Sequence, residues 1–251
     1  MTTAVDGAIL ETRGLTLHFG GIRAVNAVDF RMPPGELRCL IGPNGAGKTT
    51  FFNLLTGRLR PQRGNIRLGG ADITARRPHE RVRLGMARTF QITNLFLRLP
   101  VFEHVRLAAQ RPHETWNILA RREDLPGVAG VAGEALEWVG LAERASLPAA
   151  ALSHGERKKL ELAMALASGP TLLLLDEPTA GLNDVETAEV ARLLKGLRGR
   201  VSLLVIEHDI AFVREIADRI TVLNRGEVLA EGTVGTIEAD SAVREVYLAG
   251  A

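Results

Sequence analysis

Apolar and polar positions alternate over residues 10–19 and again over 24–32, which predicts two antiparallel strands joined at Gly20-Gly21. Pro33-Pro34-Gly35 then turns the chain into residues 36–41, a short apolar run of strand character that ends at Gly42. Residues 49–55 read as a helix, 64–68 as a strand, and 78–84 as a short helix before the strand-like stretch 86–91. From about residue 93 the period changes. Segments 101–110, 131–139 and 156–167 carry helical spacing and are separated by the Pro- and Arg-bearing stretch 111–127, which predicts a helical subdomain inserted into an α/β core. The core resumes at 171–176, a run apolar on both faces, as a central parallel strand requires. A helix over 185–197, a strand over 201–206 and a helix over 210–217 repeat the β-α rhythm, and two short strands, 219–224 and 227–230, close around Arg225-Gly226.

Composition narrows the class without naming a function. With 251 residues, 46% hydrophobic and 24% charged, the chain is long enough to bury a substantial core and has the balance of a soluble globular protein. A formal charge of +2 argues for no nucleic-acid partner. The one cysteine, Cys39, falls on the strand before Gly42 and reads as buried filler, so no disulfide framework is expected. No apolar run approaches the roughly 18 residues of a membrane span, and residues 1–7 lack the basic-then-apolar layout of a signal peptide. A cytoplasmic chain is expected, with any role at a membrane coming through a partner.

The chemistry begins at residues 42–49. Gly42-Pro43-Asn44-Gly45-Ala46-Gly47-Lys48-Thr49 matches Gly-x-x-x-x-Gly-Lys-[Ser/Thr] between an apolar strand and a helix that opens at Thr49-Thr50. Such a loop turns its N–H groups inward, and together with the positive helix end these surround a β-phosphate. Lys48 would reach the β- and γ-oxygens, and the Thr49 hydroxyl would take one Mg²⁺ position. A phosphate loop by itself leaves kinases, GTPases and many ATPases open. Downstream, the apolar run 172–175 ends in Asp176-Glu177. Asp176 at a strand tip can hold Mg²⁺ through its water shell, and Glu177 beside it can polarise an attacking water.

Between these motifs stands Leu152-Ser153-His154-Gly155-Glu156. With both nucleotide motifs present it resembles the signature of ATP-binding-cassette (ABC) ATPases, usually Leu-Ser-Gly-Gly-Gln; His154 replaces a glycine and Glu156 the glutamine. The resemblance spans the chain. It implies that Phe19 stacks on adenine, that Gln91 meets Mg²⁺ and couples the core to the helical subdomain, that residues 178–184 cross a dimer interface, and that His208 contacts the γ-phosphate. Gly20–Val25, Arg88-Thr89-Phe90-Gln91, Ala180-Gly181-Leu182-Asn183, Ile206-Glu207-His208-Asp209 and Val246-Tyr247-Leu248 look like the ATP-binding subunit of branched-chain amino acid importers. Leu152-Ser153-His154-Gly155 and Ile216-Ala217-Asp218-Arg219 are reminiscent of the group's urea members.

The resemblance implies a P-loop NTPase (RecA-like) α/β core with an antiparallel β subdomain, all within one ABC domain. Residues 1–92 and 170–232 would form the core, 93–169 the helical subdomain and 233–251 a helical tail. One cassette covers ATP on one side only, so a second ABC ATPase subunit, identical or paralogous, would bring its Ser153 and Gly155 to the γ-phosphate, with Glu156 on the ribose side. ATP and Mg²⁺ are the implied cofactors. Glu177 would act as base, His208 would orient the γ-phosphate, and Gln91 would complete the catalytic set. Transmembrane permease subunits, and indirectly a periplasmic substrate-binding protein, are the implied partners, with the chain on the inner face of the cell membrane. Two other readings stand beside this one: an exporter or lipopolysaccharide-extraction ATPase, and a soluble cassette acting on DNA or ribosomes. The second of these usually carries two cassettes or a long coiled-coil insert, neither of which is visible.

Overall fold

The computed structural model describes residues 7–89, 95–110 and 127–248. Two sheets share its core. Strands β1 (Leu10–Phe19), β2 (Ile22–Met32), β4 (Arg63–Leu68) and β5 (Ala71–Asp72) form an antiparallel sheet in the order β2-β1-β4-β5. The second sheet, ordered β10-β9-β3-β8-β7-β6, contains β3 (Leu37–Ile41), β6 (Met86–Arg88), β7 (Leu172–Asp176), β8 (Ser202–Ile206), β9 (Arg219–Asn224) and β10 (Glu227–Gly232). It is parallel except for the β9–β10 hairpin.

The apolar run of β7 serves both faces of this sheet. Leu173 and Leu175 join one buried cluster with Cys39, Leu203 and Val205, while Leu172 and Leu174 join another with Leu40, Leu204 and Ile206. The second cluster also takes in α1 (Lys48–Leu55), whose Phe51 meets Phe30 of the antiparallel sheet edge-on at 5.6 Å between ring centroids. Burial pushes the Cys39 thiol well above its ordinary range, with the nearby Glu207 and Asp218 carboxylates adding to the shift, in keeping with its reading as core filler. The C-terminal end of α1 is closed by Arg81 of α2 (Pro78–Arg83). Its guanidinium donates to the carbonyls of Leu54 (2.7 Å) and Leu55 (2.5 Å), satisfying groups that the helix leaves open. Burial draws the Arg81 pKa down to about 10, with Asp72 opposing the shift.

The helical region comprises α3 (Val101–Ala109), α4 (Val128–Trp138) and α5 (His154–Ala167), packed on the other face of the parallel sheet with α6 (Asp184–Gly196) and α7 (Ile210–Ile216). Helices α8 (Val234–Ala239) and α9 (Ser241–Leu248) follow β10. Several elements differ from the sequence expectation, among them α4, which starts at Val128 and not at residue 131. Strand β2 starts at Ile22 because the Gly20-Gly21 turn is tight, with Phe19 paired directly to Ile22. The two-residue β5 is too short to leave an alternation. Helix α5 starts two residues early, because Ser153 caps it.

Candidate functional site

The phosphate loop links β3 to α1 and is held by backbone from three directions. A Cβ at Gly42 would stand 2.1 Å from the Leu223 carbonyl oxygen, and one at Gly47 would stand 2.2 Å from that of Ala24, so both positions exclude a side chain. The Gly226 N–H donates to the Ala46 carbonyl at 2.9 Å, which fastens the loop to the β9–β10 turn. Gly47, at φ 103°, precedes α1 and offers no side-chain cap, which leaves the first N–H groups of the helix for an anion. Asn44 and Gly45 turn the loop, closed by the Ala46 N–H donating to the Pro43 carbonyl at 3.1 Å, and a Cβ at Gly45 would meet open space. Thr49 and Thr50 occupy the first turn of α1. The Lys48 ammonium donates to the Gly42 carbonyl at 2.5 Å and the Pro43 carbonyl at 3.0 Å. Burial lowers its pKa, against the opposing pull of Glu177 and Asp176.

Strands β3, β8 and β7 are neighbours in the sheet, so residues far apart in sequence meet at their carboxyl ends. Asp176 ends β7 and is 4% exposed. Its Oδ2 accepts from Arg88 at 2.6 Å, and Arg88 also donates to the Asn53 side chain of α1 at 2.8 Å. Glu177 follows at φ 49°, a left-handed conformation seldom adopted by residues other than glycine, and its N–H donates to the Ile206 carbonyl at 3.0 Å. His208 stands 3.7 Å from Glu177, measured Nδ1 to Oε1, with its ring largely exposed. Phe19, at the end of β1, is half exposed and so has a free ring face. Gln91 lies outside the described residues.

Ser153, Gly155 and Glu156 stand at the start of α5. Ser153 Oγ accepts from the Glu156 N–H at 3.2 Å, and the Glu156 carboxylate accepts from the Ser153 N–H at 2.8 Å, a reciprocal cap. Glu156 also pairs with Arg144 at 3.3 Å. Gly155 is buried, and a Cβ there would stand 2.4 Å from the Glu186 carboxylate of α6. His154 Nε2 lies 3.3 Å from the Ala180 carbonyl. The start of α5 therefore packs on residues 178–186 of its own chain. Glu156→Gln keeps the cap and loses only a part-exposed ion pair, so it should cost under about 1 kcal/mol, whereas Ser153→Ala removes the cap and should cost about 1 kcal/mol. Thermal denaturation without nucleotide checks the order; a larger loss in Glu156→Gln would contradict the cap.

Sequence reasoning gave no individual role to Arg88, Asn53, Thr179 or Glu207, although Thr179 falls in the 178–184 interface stretch and Arg88 and Glu207 in segments that carry the resemblance. Arg88 and Glu207 could have been suspected as charges next to apolar strands, but their partners are strand ends and helices that only the fold brings near.

A phosphate loop between a strand and a helix, with an acidic strand end two strands away in the same parallel sheet, defines a nucleoside-triphosphate-binding α/β protein. Residues 25–180 match the model of the ABC transporter family. The chain is 41% identical over 249 residues to the high-affinity branched-chain amino acid transport ATP-binding protein BraF of Pseudomonas aeruginosa, covering 96% of this chain and 97% of that one. It is 39% identical to LivG of Escherichia coli, a protein of the same description, at the same coverage. A solved ABC-transporter cassette in its ADP conformation superposes with a TM-score of 0.86 at 27% identity, covering 96% of this chain and 98% of the other. A dimeric cassette in a post-hydrolysis state with ADP and Pi gives 0.75 at 26% identity, covering 90% and 98%. The chain belongs to the ABC transporter family, as an ATP-binding and ATP-hydrolysing subunit.

Proposed function

We propose that this chain drives uptake of branched-chain amino acids or related amides through separate membrane subunits. The observation that carries the reading is the 41% identity that extends over nearly the whole of both this chain and the BraF relative. In this reading two cassettes meet head to tail with two ATP between them. Lys48 and the α1 N-terminus hold the phosphates from one side, and the partner subunit's Ser153 and Gly155 close the other. Binding then shuts the dimer, and hydrolysis with product release opens it.

Thr49 and Asp176, with Gln91, would hold Mg²⁺. A hydroxyl and a carboxylate are a sparse protein donor set, which suits an ion that keeps waters and phosphate oxygens as its remaining ligands. When bound, the ion neutralises charge on the β- and γ-oxygens. Glu177 takes the proton of the attacking water, and His208 donates toward the γ-phosphate as charge develops there.

Among the described residues no helix is long and apolar enough to cross a membrane. A groove of about 390 Å³ between the α/β core and the helical region is lined by Thr56, Val82, Met86, Leu95, Ala108 and Met164. Exposed Val82, Leu84, Phe96 and Leu97 lie in or near its lining in the chain. An apolar groove of this kind suits a permease segment, which would hold the chain on the inner face of the membrane. The test is reconstitution of the chain with the permeases and binding protein encoded beside it. ATP-dependent uptake of labelled leucine supports the reading, and uptake of urea without leucine, or export, sinks it.

A further inference from the structure

Glu207 is fully buried at the C-terminal end of β8, and the hydrolytic roles assigned above to Glu177 and His208 leave it unused. Its carboxylate is nonetheless completely engaged. Oε1 accepts from the Thr179 N–H at 3.1 Å and from the Thr179 hydroxyl at 2.6 Å, while Oε2 accepts from the His208 N–H at 3.1 Å and lies 3.8 Å from His208 Nδ1. Each contact falls next to a residue of the hydrolytic pair: His208 is its immediate neighbour, and Thr179 is two positions beyond Glu177.

We infer that Glu207 is a positioning residue for ATP hydrolysis, which fixes Glu177 and His208 relative to one another by tying the loop after β7 to the end of β8. Glu177 holds φ 49°, a conformation that costs a non-glycine residue on the order of 1–3 kcal/mol and persists only where neighbouring contacts enforce it. Two such contacts flank it, the Glu177 N–H to the Ile206 carbonyl on one side and the Thr179–Glu207 pair on the other. Without the second, the residues after Glu177 lose their side-chain tie to the end of β8. Glu177 can then relax its backbone and carry its carboxylate away from His208, 3.7 Å distant. A carboxylate suits this place because every group facing it is a donor. Glutamine cannot substitute, because its amide nitrogen must face either the Thr179 N–H or the His208 N–H, which leaves a buried donor opposed by a donor.

The inference rests on Glu177 and His208 being the hydrolytic pair, so the experiment includes a control for that assignment. Steady-state hydrolysis of Mg·ATP by the full chain is measured for Glu207→Gln, Thr179→Ala, Thr179→Ser and Glu177→Gln, with melting temperatures on the same preparations. Glu207→Gln is expected to lower kcat at least tenfold and Thr179→Ala at least fivefold, with KM for ATP within twofold of wild type, because ATP is held by the phosphate loop. Thr179→Ser keeps the hydroxyl and should recover half or more of the wild-type rate. Because Glu207→Gln buries an opposed donor and can fail to fold, the Thr179 pair is decisive on its own. Lower melting temperatures with kcat unchanged in Thr179→Ala would reduce the contact to a strut and overturn the inference. If Glu177→Gln still hydrolyses ATP, the base assignment itself fails; if it is inactive while Thr179→Ala and Glu207→Gln are fully active, only the role of Glu207 falls.

Discussion

Glu177→Gln should bind ATP and fail to turn it over, with kcat reduced by about 10²- to 10⁴-fold, the range that a positioned general base contributes. Glutamine keeps the shape and the backbone bond to the Ile206 carbonyl, so the loop after β7 should stay in place. What disappears is the carboxylate near His208 that, in the proposed mechanism, would accept the water's proton. Binding would continue to close two cassettes around ATP, and size-exclusion chromatography with Mg·ATP should show a dimer that accumulates. A sharper variant is Glu177→Gly. Glycine adopts φ 49° without steric cost, and this offsets the greater freedom it gives the unfolded chain, so the melting temperature should not fall although turnover is lost. Full hydrolysis by either variant would remove Glu177 as the base, and a large drop in melting temperature for Glu177→Gly would show that its side chain serves stability.

Lys48→Ala should weaken ATP binding about 100-fold. Hydrogen bonds to charged groups contribute roughly 1.5–3 kcal/mol each, and losing even the lower figure twice amounts to about two decades in Kd. The lysine already sits where the phosphates would compete for it, with its ammonium on the Gly42 and Pro43 carbonyls. Those two bonds are lost as well, but the cost of burying the ammonium is relieved at the same time, so stability without nucleotide should fall by only about 1–2 kcal/mol, a shift of a few degrees in a chain of this size. Titration with a fluorescent ATP analogue and thermal melts on the same protein separate the two effects. Wild-type affinity in a folded Lys48→Ala chain would mean that the loop does not hold the phosphates through this residue.

Much of this architecture is written in local pattern. The phosphate loop is contiguous and bends within one short stretch of backbone, so eight positions suffice to specify it. The strand β7 is legible because burial on both faces keeps Leu172 to Leu175 apolar. Asp176 and Glu177 stand out because charge follows that run at once. The helical region is legible by its change of period, and Ser153 by the contiguous signature-like motif it belongs to. In each case the cause of the structure lies within about one turn or one strand of the residue that signals it.

What the tertiary structure alone decided depends on strand order and close approach. Order β3-β8-β7 brings the loop before Lys48, His208 and Glu177 to one edge of the sheet although 160 residues separate Lys48 from His208 (208 − 48), and no local pattern encodes which strands become neighbours. Arg88 finds Asp176 across parallel strands, and Glu207 finds Thr179 across a loop. In sequence, Gly155 resembles a position facing the γ-phosphate, yet the packing that forbids a side chain there comes from Glu186. The reason is physical: a buried carboxylate or a glycine at a close approach is defined by what lies against it, and that partner is brought by the fold from elsewhere in the chain.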